Sequence, residues 1–248
     1  MNLLEVKNLK KIYHDKNGEV LALNNISFEL KEEEFIAIVG PSGCGKSTIL
    51  SILSNLEEKS EGTIKFSKNN PKIGYMLQND ALFDNRTILQ NTLLGLEVTH
   101  TLTEEAKQRV INLLKTYGLE DFMNKYPKSL SGGMRQRVAL IRTLALNPDI
   151  LLLDEPFSAL DYQTRLAVSD DVFKIIKKEK KSAIIVTHDL SEAISIADRV
   201  LVISKRPAEI KNVYKIELKN KSTPIENRKL EGFSKYYDLI WKDLDIHV

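Results

Sequence analysis

The sequence lacks the features of several protein classes. Cys44 is the only cysteine among 248 residues, so no disulfide can form within the chain, which fits a reducing compartment. No apolar run approaches the roughly 20 residues of a membrane-spanning helix, and the N-terminus lacks the apolar core of a signal peptide. The formal net charge is only +2, so we expect no nucleic-acid partner. If the protein works on a membrane, we expect it to act from the surface through a partner.

Alternating and continuous apolar segments predict an α/β fold. The stretches LLEVKNLKKIY and LALNNISFEL, with the turn DKNGE between them, predict an antiparallel pair of half-buried strands. The runs EFIAIVG, DILLLDEP and SAIIVTHD are typical of buried parallel strands, and we expect RVLVIS to close the core as its last strand. An antiparallel β subdomain should therefore accompany a parallel core.

A mostly helical segment interrupts this core. In TLTEEAKQRVINLLKTYGL we expect Thr101 and Glu104 to form a capping box at the start of a helix, and Gly118 to end that helix. The predicted divisions are a core of residues 1–79 and 148–210, an inserted α-helical subdomain of residues 80–147, and a short C-terminal extension of residues 211–248.

The C-terminal extension is predicted to end in a helix. Apolar side chains recur at helical spacing in its last 20 residues, and we favour a helix that docks on the chain's own core. A partner or regulatory contact is the alternative. The residues placed on roughly one face are Leu230, Phe233, Tyr237, Ile240, Trp241 and Leu244.

The stretch GPSGCGKST predicts a phosphate-binding loop. It matches G-x-x-x-x-G-K-[ST] between a predicted strand and a predicted helix. A glycine turn before an ordinary helix would have similar composition, but this context favours nucleotide binding. In such a loop the N–H groups surround phosphates, the lysine neutralises the β and γ oxygens, and the serine ligates magnesium. The predicted loop, called the P loop below, comprises Gly40, Pro41, Ser42, Gly43, Cys44, Gly45, Lys46, Ser47 and Thr48.

Two adjacent carboxylates follow another buried strand. ILLLDEP brings Asp154 to the carboxyl end of that strand, where an acid can hold a magnesium ion with its water shell, and Glu155 follows at once. Paired acids are often only solvated surface, but these follow an apolar run. We expect Glu155 to orient or deprotonate an attacking water. The predicted core is thus that of a P-loop (RecA-like) ATPase.

A second glycine loop narrows the family. LSGGMRQR, residues 130–137, opens onto a helix, and Gln78, SALD ending at Asp161, and His188 lie before and after it. The order and spacing of these motifs resemble the ATP-binding-cassette (ABC) ATPases over nearly all of residues 1–210.

This resemblance implies ATP and Mg²⁺ as ligands and gives roles to further residues. Tyr13 would stack on adenine, although it could instead be a core aromatic of its strand. Ser131, Gly132 and Gly133 would close over ATP bound by the opposite subunit, and Asp161 would connect the two sites across that interface. His188 would contact the γ-phosphate, and Gln78 would contact the magnesium ion and the attacking water. The implied catalytic set is Glu155, His188, Gln78 and Lys46, and the implied magnesium ligands are Ser47, Gln78 and Asp154.

Two further segments resemble one branch of the family. VLVISKRPAEI and RTILQNTLLGLE are similar to segments of ATPase subunits of nitrate, sulfonate and taurine importers, a group that includes relatives for thiamine-precursor pyrimidines. The chain departs from that group at LFDN, residues 82–85, where Leu-Pro-Trp is common, which leaves the permease and the substrate open.

The resemblance implies a peripheral subunit on the cytoplasmic face of the cell membrane. Its partners would be a second ATPase subunit, with a homodimer favoured by the complete motif set, transmembrane permease subunits and an extracytoplasmic substrate-binding protein. The alternatives are the ATPase of an exporter or lipid-extraction system and, further behind, a non-transport ABC ATPase acting on DNA or ribosomes.

Overall fold

The N-terminal part of the chain forms a three-stranded antiparallel sheet. The computed structural model describes residues 2–16 and 18–244. Strand β1 (Asn2–Asp15) lies between β2 (Gly18–Lys31) and β4 (Glu61–Phe66) and pairs with both. The predicted antiparallel subdomain is thus confirmed, with β4 as its third strand.

A second sheet of six strands forms the centre of the protein, in the order β5-β6-β7-β3-β8-β9. Every side chain of β3, β6 and β7 is buried, as continuous apolar runs predict for parallel strands covered on both faces. The strands are β3 (Phe35–Val39), β5 (Ile73–Met76), β6 (Ile150–Asp154), β7 (Ser182–Thr187), β8 (Arg199–Ile203) and β9 (Ile210–Lys215).

RVLVIS forms β8, the last parallel strand of the core, but the sequence pattern did not predict the strand that follows it. Strand β9 adds an antiparallel edge to β8. Its sequence, IKNVYK, buries no side chain fully, because an edge strand faces solvent on one side. The apolar signal that identified the inner strands is therefore absent.

Alternation along β3 distributes its side chains between two hydrophobic cores. Ile36 and Ile38 pack with helix α1 (Lys46–Leu53) and the antiparallel sheet. Phe35, Ala37 and Val39 pack on the opposite face with the remaining helices. Because the P loop directly continues β3, both cores fix its starting point.

Helices occupy the segment between β5 and β6, as predicted. They are α2 (Ile88–Val98), α3 (Glu104–Thr116) and α4 (Gly132–Ala145). The predicted capping box of Thr101 and Glu104 is wrong, because Thr103 is the N-cap and its side chain accepts a bond from the Ala106 N–H. Both Glu104 and Glu105 then lie in the first turn, where the helix dipole favours them.

The C-terminal end of α3 agrees with its prediction. Gly118 has φ +71°, and the Leu119 N–H donates to the Leu114 carbonyl at 2.8 Å. This left-handed glycine closes the helix with a Schellman-type bond.

The second half of the chain adds four helices to the described fold. They are α5 (Tyr162–Lys178), α6 (Leu190–Ile196), α7 (Pro224–Asn227) and α8 (Phe233–Asp243). Ile240 and Leu244 are buried in the main core, which confirms that α8 docks on its own chain, whereas Trp241 is 44% exposed and does not join the buried face. No helix in residues 2–16 and 18–244 has the length and apolarity to cross a membrane.

Candidate functional site

The P loop depends on glycines at two positions. Gly43 and Gly45 have φ of +72° and +120°, values that side chains disfavour. A Cβ at Gly45 would also lie 2.8 Å from Leu23 Cδ2 in β2. The loop therefore turns sharply from β3 into α1 and packs directly on the antiparallel sheet.

Lys46 is a buried cation that contacts backbone carbonyls of the P loop. Its side chain returns over the loop, and Nζ donates to the carbonyls of Gly40 at 2.9 Å and Pro41 at 3.0 Å. Lys46 is only 5% exposed, and no ion pair of Lys46 occurs in the described part of the chain. A buried ammonium held only by neutral carbonyls favours an incoming anion.

Asp154 is hydrogen-bonded to Ser47, the residue that follows Lys46. The Ser47 hydroxyl donates to Asp154 Oδ1 at 3.0 Å, and the Tyr75 hydroxyl donates to Oδ2 at 3.0 Å. Burial and the charge of Asp154 raise the pKa of Tyr75 to about 12, so Tyr75 remains a hydrogen-bond donor at neutral pH.

These oxygens fit a hard divalent cation. Asp154 is 8% exposed, has two hydroxyl partners and forms no ion pair among the described residues, so its charge is uncompensated. Carboxylate and hydroxyl oxygens are ligands that Mg²⁺ accepts, usually with several waters retained. Ser47 and Asp154 can therefore both contribute to a magnesium site.

Glu155 turns away from Asp154. It has φ +43°, a conformation that costs a non-glycine residue roughly 1–2 kcal/mol, and its N–H donates to the Val186 carbonyl of β7 at 2.9 Å. As a result Glu155 Oε2 lies 3.1 Å from His188 Nδ1. The two neighbouring acids thus contact different groups, Asp154 the P loop and Glu155 the histidine after β7.

Gln78 reaches this pair through a residue that sequence reasoning missed. Gln78 Nε2 lies 3.4 Å from Ser158 Oγ, and Ser158 Oγ donates to the Glu155 carbonyl at 3.0 Å. Ser158 is the first residue of SALD, but the family resemblance gave a role only to Asp161 at the end of that motif.

Tyr13 lies beside the first turn of α1. Its hydroxyl donates to Glu57 Oε2 at 2.6 Å and lies 3.3 Å from Thr48 Oγ1, while Lys11 Nζ is 4.7 Å from the ring centroid. Burial, followed by the Glu57 hydrogen bond, raises the pKa of the Tyr13 hydroxyl. The structure thus brings Tyr13 next to the P loop, and its contact with adenine stays a prediction.

The second glycine loop forms a separate group with Asp161. Ser131 caps α4 by accepting the Met134 N–H at 3.3 Å, and Asp161 caps α5 by accepting the Thr164 N–H at 3.1 Å. The two helix starts are in contact, since a Cβ at Gly133 would lie 2.6 Å from Val168 Cγ2 of α5 and one at Gly132 would lie 3.0 Å from Leu160 Cδ2. In residues 2–16 and 18–244, no hydrogen bond or ion pair joins this group to residues 40–48.

Comparisons with known proteins find relatives over nearly the whole chain. A family model described as ABC transporter matches residues 23–158. The uncharacterized ABC transporter ATP-binding protein YtlC of Bacillus subtilis (strain 168) is 44% identical over 99% of this chain and 96% of its own length. The nitrate import ATP-binding protein NrtD of Synechocystis sp. is 36% identical over 96% of this chain and 93% of its own.

A sulfonate importer subunit and a solved structure are also similar. The aliphatic sulfonates import ATP-binding protein SsuB 1 of Shouchella clausii is 42% identical over 83% of this chain and 79% of its own length. A dimeric structure of the ATP-binding cassette MJ0796, in a post-hydrolysis state with ADP and Pi, superposes with a TM-score of 0.72. That cassette is 32% identical, and the match covers 86% of this chain and 99% of the cassette.

Proposed function

This chain belongs to the ABC transporter ATP-binding family and is an ATPase, and from that premise we propose that it is the ATP-hydrolysing subunit of an importer for a small solute. The observation that carries the proposal is the pairing of Glu155 with His188 beside the Ser47–Asp154 contact. The import direction and a solute of the nitrate or sulfonate kind are supported by the similarity to NrtD and SsuB. A solute of the taurine or thiamine-precursor kind is supported by the resemblance of residues 86–97 and 200–210 to segments of that importer group. An exporter ATPase is the second candidate, since its site chemistry would be the same.

ATP binds with its phosphates in the P loop. The N–H groups of residues 40–48 surround them, and Lys46 exchanges its bonds to the Gly40 and Pro41 carbonyls for bonds to β- and γ-phosphate oxygens. The ring of Tyr13 stacks on adenine. Two bonds from the ammonium to neutral carbonyls are thereby replaced by stronger bonds in which both partners are charged.

Ser47, Asp154 and Gln78 would hold Mg²⁺ in this site. When bound, the ion supplies positive charge that neutralises the phosphate oxygens as the terminal bond breaks. The contact between Ser47 and Asp154 supports this assignment for two of the three ligands.

Glu155 takes the proton from the attacking water, and His188 holds the Glu155 carboxylate in position. With Nδ1 bound to Glu155 Oε2, the imidazole keeps the carboxylate aimed at the water and presents its other nitrogen to the γ-phosphate. Gln78 orients the same water and, through Ser158, responds to the position of Glu155.

Two copies of the chain close over two ATP molecules. Ser131, Gly132 and Gly133 bind the nucleotide held by the P loop of the opposite copy, and Asp161 connects the two sites. The start of α4 offers N–H groups and a positive dipole to an anion, and it makes no bond to its own P loop within the described residues. Dimeric structures of a similar cassette support this assembly.

The surface beside Gln78 contacts the permease. Leu77 is 46% and Phe83 50% exposed, so two large apolar side chains face solvent next to the residue that senses the nucleotide. The permease crosses the membrane, the ATPase lies on its cytoplasmic face, and an extracytoplasmic binding protein delivers the solute.

Affinity purification tests the transport assignment. The tagged chain is recovered from its native host's membranes in mild detergent, and co-purifying proteins are identified by mass spectrometry. Phe83→Ser is compared with Val98→Ser, which alters another exposed apolar residue of the same subdomain, and thermal unfolding verifies that both variants are folded.

We expect the wild type and Val98→Ser to recover a multi-span permease, and Phe83→Ser to lose it. The relatives of that permease and of its binding protein then indicate import or export and the class of solute. Repeated recovery of soluble proteins or nucleic acid alone, with no membrane subunit, would overturn the proposal.

A further inference from the structure

A turn remote in sequence places an arginine on the P loop. Arg206 Nη2 donates to the Gly43 carbonyl at 2.8 Å, across 163 positions of the chain. Gly43 is one of the two P-loop glycines with positive φ. The bond thus reaches the part of the loop whose backbone conformation is least restricted by side chains.

The 204–209 turn that carries Arg206 is closed by its own hydrogen bonds. The Ser204 hydroxyl donates to the Pro207 carbonyl at 3.1 Å and accepts the Glu209 N–H at 3.0 Å. The Ser204 N–H donates to the Glu209 carbonyl at 2.9 Å. These bonds define the direction in which Arg206 leaves the turn.

The 204–209 turn is also attached to β2. The Ala208 N–H donates to the Ala22 carbonyl, and the Asn24 N–H donates to the Ala208 carbonyl, both at 2.9 Å. Leu23, between these two partners, is the residue packed against Gly45. The turn that carries Arg206 and the P-loop residue Gly45 therefore both pack on strand β2.

We propose that Arg206 is a positioning residue that orients the P loop for the phosphates of ATP. In a trans peptide the C=O and N–H groups point in opposite directions. Holding the Gly43 carbonyl on the Arg206 side therefore turns the Cys44 N–H to the other side of the loop. The bond from that N–H to the Pro41 carbonyl is long, at 3.4 Å, so a phosphate can compete for the N–H.

The charge of Arg206 acts on the same region. Burial raises the pKa of the Tyr13 hydroxyl and of the Cys44 thiol, and the positive charge of Arg206 opposes both shifts. The guanidinium is thus close enough to both residues to add to the positive potential of the site. This inference rests on the proposed ATP site at residues 40–48.

A purely structural role would produce a different result from a positioning role. Arg206 is exposed, so loss of one solvated bond should change the unfolding free energy little. The effect should appear in nucleotide binding, because both the ground state and the transition state use the same loop N–H groups.

The test measures KM for ATP, kcat and ADP affinity for the full-length wild type, Arg206→Ala, Arg206→Lys and Lys205→Ala. Lys205 is the matched control, since it is the neighbouring exposed cation of the same turn. We expect Arg206→Ala to raise KM and weaken ADP binding roughly three- to tenfold, the range of one hydrogen bond, with kcat little changed. Arg206→Lys should recover part of the loss, and Lys205→Ala should behave as the wild type.

Two results would overturn the inference. One is an unchanged KM and ADP affinity in Arg206→Ala, and the other is an equal loss in Lys205→Ala, which would indicate a general charge effect. If Arg206→Ala does not fold, Arg206→Gln serves as the replacement variant. A wild type without ATP hydrolysis would instead contradict the proposed function, so the two failures are distinguishable.

Discussion

At the scale of single residues, backbone geometry directs the carboxylates of Asp154 and Glu155 to different partners in the candidate site. Asp154 ends β6 and accepts from Ser47 and Tyr75, whereas the positive φ of Glu155 directs its carboxylate to His188. Strain of this kind persists only where surrounding contacts hold it, and here the bond from the Glu155 N–H to the Val186 carbonyl does so. In the proposed mechanism, this separation lets Asp154 act on the cation and Glu155 on the attacking water.

Glu155→Gln should abolish turnover without preventing ATP binding. The amide keeps the size of the side chain but cannot accept a proton, so kcat should fall roughly a hundredfold or more. With Mg-ATP the variant should form a dimer more readily, since bound ATP holds the two copies together until it is hydrolysed. Steady-state ATPase assays, nucleotide titration and size-exclusion chromatography measure the three quantities.

Glu231→Gln is the matched control for this substitution, because Glu231 is an exposed acid of the C-terminal extension. It should retain wild-type turnover. Near-normal hydrolysis by Glu155→Gln would remove Glu155 from its assigned role.

At the scale of elements, helix α4 holds the segment that follows Gln78. Arg135 binds Asp80 with two hydrogen bonds, Nε to Oδ2 at 2.7 Å and Nη2 to Oδ1 at 3.0 Å. Arg142, two turns further along, donates to the carbonyls of Asp80 and Ala81. The helix that begins at the second glycine loop is thus joined directly to the segment that follows Gln78.

A double-mutant cycle measures this connection. Asp80→Asn, Arg135→Gln and the double variant should give a coupling of about 1 kcal/mol or more in the free energy of unfolding, because the pair is bidentate and partly buried. Denaturant titration supplies the four values.

The Arg86–Glu97 pair of the same subdomain is the control cycle. It has a single bond of 2.6 Å, and both side chains are more exposed than those of Asp80 and Arg135. Its coupling should be smaller, in the range of surface pairs. A coupling at Asp80–Arg135 no larger than that of the control would show that the connection does not stabilise the fold.

At the scale of the whole molecule, the C-terminal segment covers a buried acid of the core. Glu192 of α6 is buried, with Thr187 Oγ1 as hydrogen-bond partner at 3.3 Å. Asn227 of α7 donates to the Ser195 carbonyl of α6 at 2.7 Å, so α7 packs against α6. The charged groups that face Glu192 are Asp189, Arg165 and Arg228.

Burial raises the pKa of Glu192 from 4.5 to about 8, and the charge of Asp189 adds to the rise. Between these pH values the native chain keeps a proton that the unfolded chain has released, so the free energy of unfolding falls as pH rises. Glu192→Gln cannot ionise, and its stability relative to the wild type should therefore increase across this window. Denaturant titrations at several pH values between 4.5 and 8 measure this relative stability, with Glu231→Gln as the control. If the free energies of unfolding of Glu192→Gln and the wild type change in parallel with pH, the raised pKa of Glu192 is contradicted.

Much of the candidate site follows from the sequence alone. The order strand, glycine loop, helix at residues 35–53, the buried strand before Asp154 and the glycine that ends α3 are all local patterns, and the structure contains each of them. They are predictable because apolar periodicity and positive φ act within a few residues of the chain. The helix start at Thr103 was missed because two threonines two residues apart are both acceptable caps.

Only the tertiary structure decided which side chains complete the site. Tyr75 reaches Asp154 across 79 positions and Arg206 reaches Gly43 across 163, and neither residue carries a local signal for its partner. The sheet order β5-β6-β7-β3-β8-β9 places strands side by side that are far apart in the chain. Periodicity determines which face of a strand is buried, but the lateral neighbours, and the edge strand β9 among them, depend on the packing of the whole molecule.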